Sequence, residues 1–328
     1  MINYIIRRVL IAIPTLIAIS MISFFIINLP KGDYLDQRIA QLQQQNGDAS
    51  SLGEAAALRH RYGLDKPVVE RYIMWVTGFV HGDFGESFRY QKEVKDLIGE
   101  RLIFTVILAL GSLLFTYALA IPIGIYSAIH KYQWTDNVLT LLAFVGMSLP
   151  GFLVALVMIV LDYQISGQPL FGLFSPYYET ANWSWGKVGD LCNHLWLPLA
   201  VTAINGTAGL MRIMRGNLLD VLGEPFVRTA RAKGLPEHIV IVKHAARIAI
   251  NPLISIIGMS LPDILSGSTI ISIVLGLPTV GPLLFTALQD QDMYLAGTLI
   301  VFMSLLLIVG NLLADLALAW VDPRIRYE

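Results

Sequence analysis

Six apolar stretches of this chain contain no Asp, Glu, Lys or Arg, and this restricts the fold more than any other feature. They are Val9–Pro30, Leu102–Ile129, Asn137–Leu161, Leu191–Met211, Ile248–Pro262 and Met293–Ala314. A helix crosses the ~30 Å hydrocarbon layer with about 20 apolar residues, and a charge at that depth is costly. The fifth stretch is the least regular: it stops at Asp263 and resumes uncharged to Gln289. The pattern predicts an all-α membrane protein with six transmembrane helices. Composition agrees, since only 14% of the 328 residues are charged against about 25% in a soluble domain. Arg7 and Arg8 precede the first run, but it is too long for a leader's apolar core and no small-residue cleavage site follows, so it reads as a retained helix.

Cations in the short loops set the orientation. With the N-terminus in the cytoplasm, the inner side holds Arg7, Arg8, Lys131, Arg324, Arg326 and a dense set between Arg212 and Arg247. The short outer loops then hold only Lys187. Both termini are expected in the cytoplasm, which requires an even number of spans. Tryptophans follow the same division: Trp75, Trp183, Trp185 and Trp196 fall toward the outer face, Trp134 and Trp320 toward the inner, as interfacial belts predict.

Two connections are long. Residues 31–101 form an extracytoplasmic unit. Its glutamine-rich part is polar and reads as a flexible loop, EAAALRHRYGL as a short helix, and Val68, Tyr72, Trp75, Val76 and Phe79 recur at helical spacing after Pro67. GDFGES, with two glycines, ends that helix. The unit either contacts a soluble partner or caps the bundle. The second connection, 212–247, carries seven of the 23 Lys and Arg residues and is long for a link between bundle helices. Pro225 and Gly234–Leu235–Pro236 delimit a short helical piece, roughly Pro225–Lys233. Such a helix suits docking into a groove of a cytoplasmic protein; a plain cation-rich inner loop has the same composition.

Enzymatic chemistry is missing from the sequence. There is no phosphate-binding G-x-x-x-x-G-K-[ST] loop, no H-E-x-x-H, no G-x-S-x-G elbow and no paired Cys-x-x-Cys; the single Cys192 cannot form an internal disulfide. The six histidines lack metal-ligand spacing. A net charge of −1 offers no basic face for nucleic acid. Asp162 and Asp315 sit at run ends, where they reach the interface. Asp263 interrupts the fifth run among Gly258, Gly267 and Gly276, and either faces a hydrated path or marks a helix end.

Seven segments in order resemble one family, the permeases of dipeptide/oligopeptide/nickel-type binding-protein-dependent ABC importers. NYIIRRVLIAIPTLIAISMISFFI is similar to that family's first helix, and LRHRYGLDKP and HGDFGESF to its first outer loop. ERLIFTVILALGSLLFTYALAIPIGIYSA and FVGMSLPGFLVAL resemble its second and third helices, FVRTARAKGLPEHIVIVKHAARIAINPL its ATPase-docking loop, and LAWVDPRIR its C-terminus. The resemblance implies a type I-like permease fold: a first helix (1–30), the outer unit (31–101) and a five-helix core (102–328) with the docking loop at 212–247. It implies a chain in a bacterial or archaeal inner membrane, in contact with lipid, that itself binds no cofactor. The expected partners are a second homologous permease, two cytoplasmic ATPases carrying ATP and Mg, and an extracytoplasmic solute-binding protein.

Carried onto this sequence, the docking segment comprises Glu224, Pro225, Phe226, Arg228, Thr229, Ala230, Arg231, Ala232, Lys233, Gly234 and Leu235. The wider importer loop has an E-A-A triplet where this chain has Arg228, Thr229 and Ala230, so the acid is missing and the match is to the peptide-type branch. Ala230 and Gly234 are small enough for close approach, and Arg228, Arg231 and Lys233 can pair with acids of an ATPase. In place of the branch's V-V-V-E-x-V-F-x-W-P-G-x-G run the chain reads ISIVLGLPTVG, with Ser272 for the acid, which leaves an oligosaccharide importer as the alternative to a peptide importer. Asp263, Ser266 and Ser272 are the candidates for the translocation path. An ion-coupled secondary transporter, the alternative from another class, would show repeats with matching broken helices, and no repeat is visible.

Overall fold

The structure, a computed structural model, describes residues 2–29, 59–60, 63–167 and 170–321, with side chains described over the same residues except 2–3, 100, 258–268 and 317–321. The glutamine-rich stretch of the first connection, most of EAAALRHRYGL, and Trp320, Arg324 and Arg326 therefore lie outside the described residues or side chains. Among the described residues there is no strand, only an isolated bridge between Glu86 and Glu93.

The helices are α1 (Ile2–Ile27), α2 (Val68–Val80), α3 (Val94–Ile129), α4 (Trp134–Ser148), α5 (Gly151–Ser166), the single turn α6 (Pro176–Glu179), α7 (Trp185–Leu222), α8 (Pro225–Ala232), α9 (Glu237–Ala249), α10 (Asn251–Val274), α11 (Val280–Gln289) and α12 (Met293–Val321). Four of them, α1, α3, α7 and α12, are long and apolar enough to cross a membrane singly. Two bent pairs, α4 with α5 and α9 with the first part of α10, pass the same test together. The second, fourth and sixth uncharged runs fall within α3, α7 and α12, the first mostly within α1 and the third within α4 and α5. The fifth, Ile248–Pro262, lies mostly in α10 and shares only Ile248–Ala249 with the charged helix α9.

Three boundaries differ from the expectation, each for a local reason. The third run is not one helix: α4 and α5 meet at 107°. Pro150 excludes the α region at Leu149, which adopts φ −86°, ψ 128°, and the Pro150 carbonyl then accepts from Leu153 and Val154 to start α5. The 212–247 connection is mostly helix rather than loop. No proline interrupts α7 after Met211, so it continues through Arg212 and Arg215 to Leu222 before Gly223 caps it. Finally, the backbone of α10 stays helical through Asp263, so that acid does not end the fifth helix.

The chain divides into two compact units, Met1–Phe104 with Thr279–Val309, and Thr105–Pro278 with Gly310–Glu328. In the first, Phe24 of α1 stacks on Trp75 of α2 at 5.6 Å between ring centres, inside a cluster with Val280, Leu283, Leu295 and Leu299. Trp75 is only 4% exposed and its indole N–H donates to Thr298 Oγ1 at 3.2 Å. It is therefore a core residue and not part of an interfacial belt: α2 has the apolar spacing to bury one face, and Trp75 lies on it.

In the second unit α7 is the central shaft, packed against α4, α5, α9 and α10. Gly124 of α3 allows very close approach, since a Cβ there would stand 2.7 Å from Met214 Cβ and 2.9 Å from the Met211 carbonyl oxygen. Within α9 residues Val240–Ala246 are wound as a π-helix, a form that recurs at functional sites. At the 41° bend between α9 and α10, the Asn217 amide of α7 donates to the Ala249 carbonyl at 3.3 Å.

Candidate functional site

The docking segment folds as its sequence directs. Glu224 is extended and its carbonyl opens helix α8, while Pro225 occupies the first helical position, where a missing N–H costs nothing and φ is already set. Thr229 Oγ1 donates to the Pro225 carbonyl at 2.9 Å. At the other end Gly234 adopts φ +76°. Its N–H bonds the Arg231 carbonyl and the Leu235 N–H bonds that of Ala230, the paired arrangement of a Schellman stop. A Cβ at Gly234 would meet nothing within 4 Å, so conformation explains this glycine.

Val227 and Ala230, three residues apart, form the inward face of α8 at 0% and 7% exposure. They enter a cluster with Met214 and Leu218 of α7 and Val240, Ala245 and Ala246 of α9. The helix is thus fastened by two small side chains, and Ala230 faces the chain's own core. Val227, absent from the sequence-derived set, is its main anchor. Glu224, Pro225, Phe226, Arg228, Thr229, Arg231, Ala232, Lys233, Gly234 and Leu235 are all exposed. Arg231 is engaged within the chain, its Nη2 lying 2.7 Å from Glu237 Oε1.

Of the three candidates for the path, Ser272 has a described side chain. Ser272 is buried, at 2% exposure, and its carbonyl accepts the Leu277 N–H at 2.8 Å in the turn that ends α10. The side chains of Asp263 and Ser266 lie outside those described.

Two polar centres emerge around acids that stand immediately before uncharged runs, Asp136 before Asn137 and Asp292 before Met293. Asp136, in the first turn of α4, is 1% exposed. It takes Arg215 Nε on Oδ1 at 2.8 Å and Arg215 Nη2 on Oδ2 at 2.7 Å. The Ser127 hydroxyl of α3 donates to Oδ1 and the Tyr132 N–H to Oδ2 at 2.9 Å. Four donors from three segments thus converge on one carboxylate. The second centre, in the other unit, is Asp292 at 0% exposure. It caps α12 by accepting the Leu295 N–H at 3.2 Å and holds the GDFGES loop through the Ser87 hydroxyl at 2.5 Å and the Arg89 N–H. Burial pushes its carboxyl up to about 6, against the opposing pull of these hydrogen bonds. Spacing alone could reveal neither, since the partners lie 79 and 205 residues away.

Residues 120–327 match the model of the binding-protein-dependent transport system inner membrane component, and residues 1–109 match the corresponding N-terminal membrane component. Relatives align almost end to end. The oligopeptide transport system permease protein AppB of Bacillus subtilis is 36% identical over 99% of both chains. The oligopeptide transport system permease protein OppB of Haemophilus influenzae is 31% identical over the full length of both. The inner membrane ABC transporter permease protein YejB of Escherichia coli O157:H7 is 32% identical over 99% of both.

Proposed function

The chain belongs to the binding-protein-dependent transport system inner membrane component family, and from that premise we propose that it is the permease through which an ATP-driven importer brings peptides into the cell. A member of this family is a multi-pass inner membrane protein that works in a complex with other subunits, and it is a translocation subunit rather than an enzyme. The peptide reading takes precedence over the oligosaccharide and ion-coupled alternatives because the relatives are named for oligopeptide or peptide transport.

In this reading six spans cross the membrane with both termini in the cytoplasm of a bacterium or archaeon. A second permease completes the pathway, two ATPases carrying ATP and Mg dock from the cytoplasm, and a solute-binding protein delivers peptide from outside. The observation that supports docking is the two-sidedness of α8: an apolar pair holds it to α7 and α9, while Arg228, Lys233, Phe226 and Leu235 face outward at the end of a shaft long enough to span the bilayer. Closure of the ATPases on ATP would shift α8 and rock the helices between inward- and outward-open packings, a two-state coupling between distant sites. Asp263, Ser266 and Ser272 are carried forward as path residues.

The experiment is charge reversal at Arg228→Glu with Lys233→Glu, read as the amount of ATPase that co-purifies with the membrane complex. We expect loss of the ATPase and of peptide uptake, with membrane insertion of the chain unchanged. Full retention of the ATPase would remove the docking assignment.

A further inference from the structure

We propose that Asp136 and Arg215 are positioning residues that bind the docking helix and helix α4 into one moving body, so that a displacement imposed at Pro225–Ala232 is delivered to the break at Leu149–Pro150. The proposal rests on the reading of α8 as an ATPase-docking helix.

One turn of α7 serves two neighbours. Met214 and Leu218, four residues apart and fully buried, lie in the cluster that holds Val227 and Ala230 of α8. Arg215 is rotated by about 100° from Met214 on the same turn, and it grips Asp136 at the first turn of α4. The stretch that supports α8 therefore also holds the α3–α4 corner, and α8 cannot be drawn sideways without loading both contacts.

The form of that second contact is suited to transmission. A guanidinium fork on a carboxylate makes two parallel bonds, which fix angle as well as distance. Apolar side chains of similar volume would be as stabilising or more so, but they permit sliding. The carboxylate is in turn fixed to the corner by Ser127 and by the N–H of Tyr132, whose φ of +64° is costly for a residue with a Cβ and persists only when its surroundings enforce it. From this corner α4 extends 15 residues, about 22 Å at 1.5 Å per residue, and ends at the 107° break. A helix fixed at the Asp136 corner and packed along α7 as far as Gly146, where a Cβ would stand 3.3 Å from Ile204, follows α7 and carries a small shift near α8 to the break.

The test uses the complete transporter, with both permeases, the ATPases and the binding protein, in lipid vesicles and supplied with a size-pooled tryptic casein digest. Wild type is compared with Asp136→Asn, Arg215→Gln and the double variant. Three quantities are read: ATPase retained in the complex, hydrolysis without binding protein, and hydrolysis and uptake with peptide-loaded binding protein. We expect each single variant to retain its ATPase and its unstimulated hydrolysis while stimulation and uptake fall ~10-fold, within the 5–150-fold typical of a coupling element. The double variant should be no worse than the worse single one, because both break the same link. Arg215→Lys keeps the charge without the fork and should rescue little. Full uptake in either single variant, or losses that multiply in the double, would overturn the proposal. So would a loss of uptake that only tracks a loss of ATPase, since that is a purely structural role. If the single variants fail to insert, Ser127→Ala loosens the carboxylate without unpairing a charge, and unchanged stimulation there would equally overturn it. Failure of the docking reading has a different signature: the ATPases would fail to cross-link to a cysteine placed at Arg228 in an otherwise wild-type complex.

Discussion

Asp136 and Asp292 are sealed from solvent to nearly the same degree, each at the start of an apolar helix, yet one is matched by a guanidinium and the other by a hydroxyl and backbone N–H groups. The difference shows what a buried carboxylate is for in each place. A paired ion fixes angle as well as distance, and it joins two helices of the second unit. An unpaired one in a cap keeps a loop and a helix terminus together in the first unit, and its charge remains negotiable. Burial alone would have predicted the same behaviour for both.

The largest effect should come from unpairing the first. Arg215→Ala leaves the Asp136 carboxylate buried with only hydroxyl and amide donors, and losses of ~3–5 kcal/mol are usual for such a change. Thermal unfolding of the purified complex should show it, and Asp136→Leu with Arg215→Met should restore most of the stability while leaving the coupling defect. If the apolar pair also restored coupled uptake, the distinction between rigidity and packing would collapse.

A smaller effect is expected at Asp292, with the sign set by its raised carboxyl. The folded chain holds the proton more tightly than the unfolded chain, so this residue's contribution is complete below the ordinary Asp value of 3.8 and is lost as pH rises through about 6. The difference is at most about 3 kcal/mol at 1.36 kcal/mol per unit. Asp292→Asn keeps an acceptor for Leu295 and Ser87 but carries no charge. Its melting temperature should therefore match or exceed wild type at neutral pH, and the dependence between about pH 4 and pH 7 should flatten. A wild-type profile without that slope would place Asp292 with Asp136.

The smallest effect should come from Arg231→Ala. Arg231 also forks onto a carboxylate, Nη2 at 2.7 Å and Nε at 3.1 Å from Glu237, but both side chains are substantially exposed, and exposed pairs contribute little. No measurable change in melting temperature is expected. A clear loss would mean that fork geometry, rather than burial, gives the Asp136 pair its strength.

Elements whose reason is local were legible in the sequence. The uncharged runs located the spanning helices, Pro67 and the apolar spacing after it gave α2, and Pro225 with Gly234–Leu235–Pro236 bounded α8 to within a residue. The bend at Leu149–Pro150 was signalled by proline but hidden within an unbroken apolar run, because hydropathy is blind to direction. The inward turn of Val227 and Ala230 was signalled by their i, i+3 spacing against Arg228 and Arg231, but small size at Ala230 suited a partner's approach equally well. The partners of Asp136 and Asp292 were not legible, because they depend on which distant segments the fold brings alongside; an acid at the end of a run reads the same whether it meets water or an arginine. The family resemblance supplied the docking role, while the geometry changed why Ala230 and Gly234 are small: one fills the chain's own core and the other forms a left-handed turn.

The break at Leu149–Pro150 also bears on what surrounds such a chain in the membrane. Pro150 has no N–H to offer the Gly146 carbonyl, the bond a continuous helix would make there, and a span bent in this way draws on water or on neighbouring protein surface for the carbonyls that the bend frees.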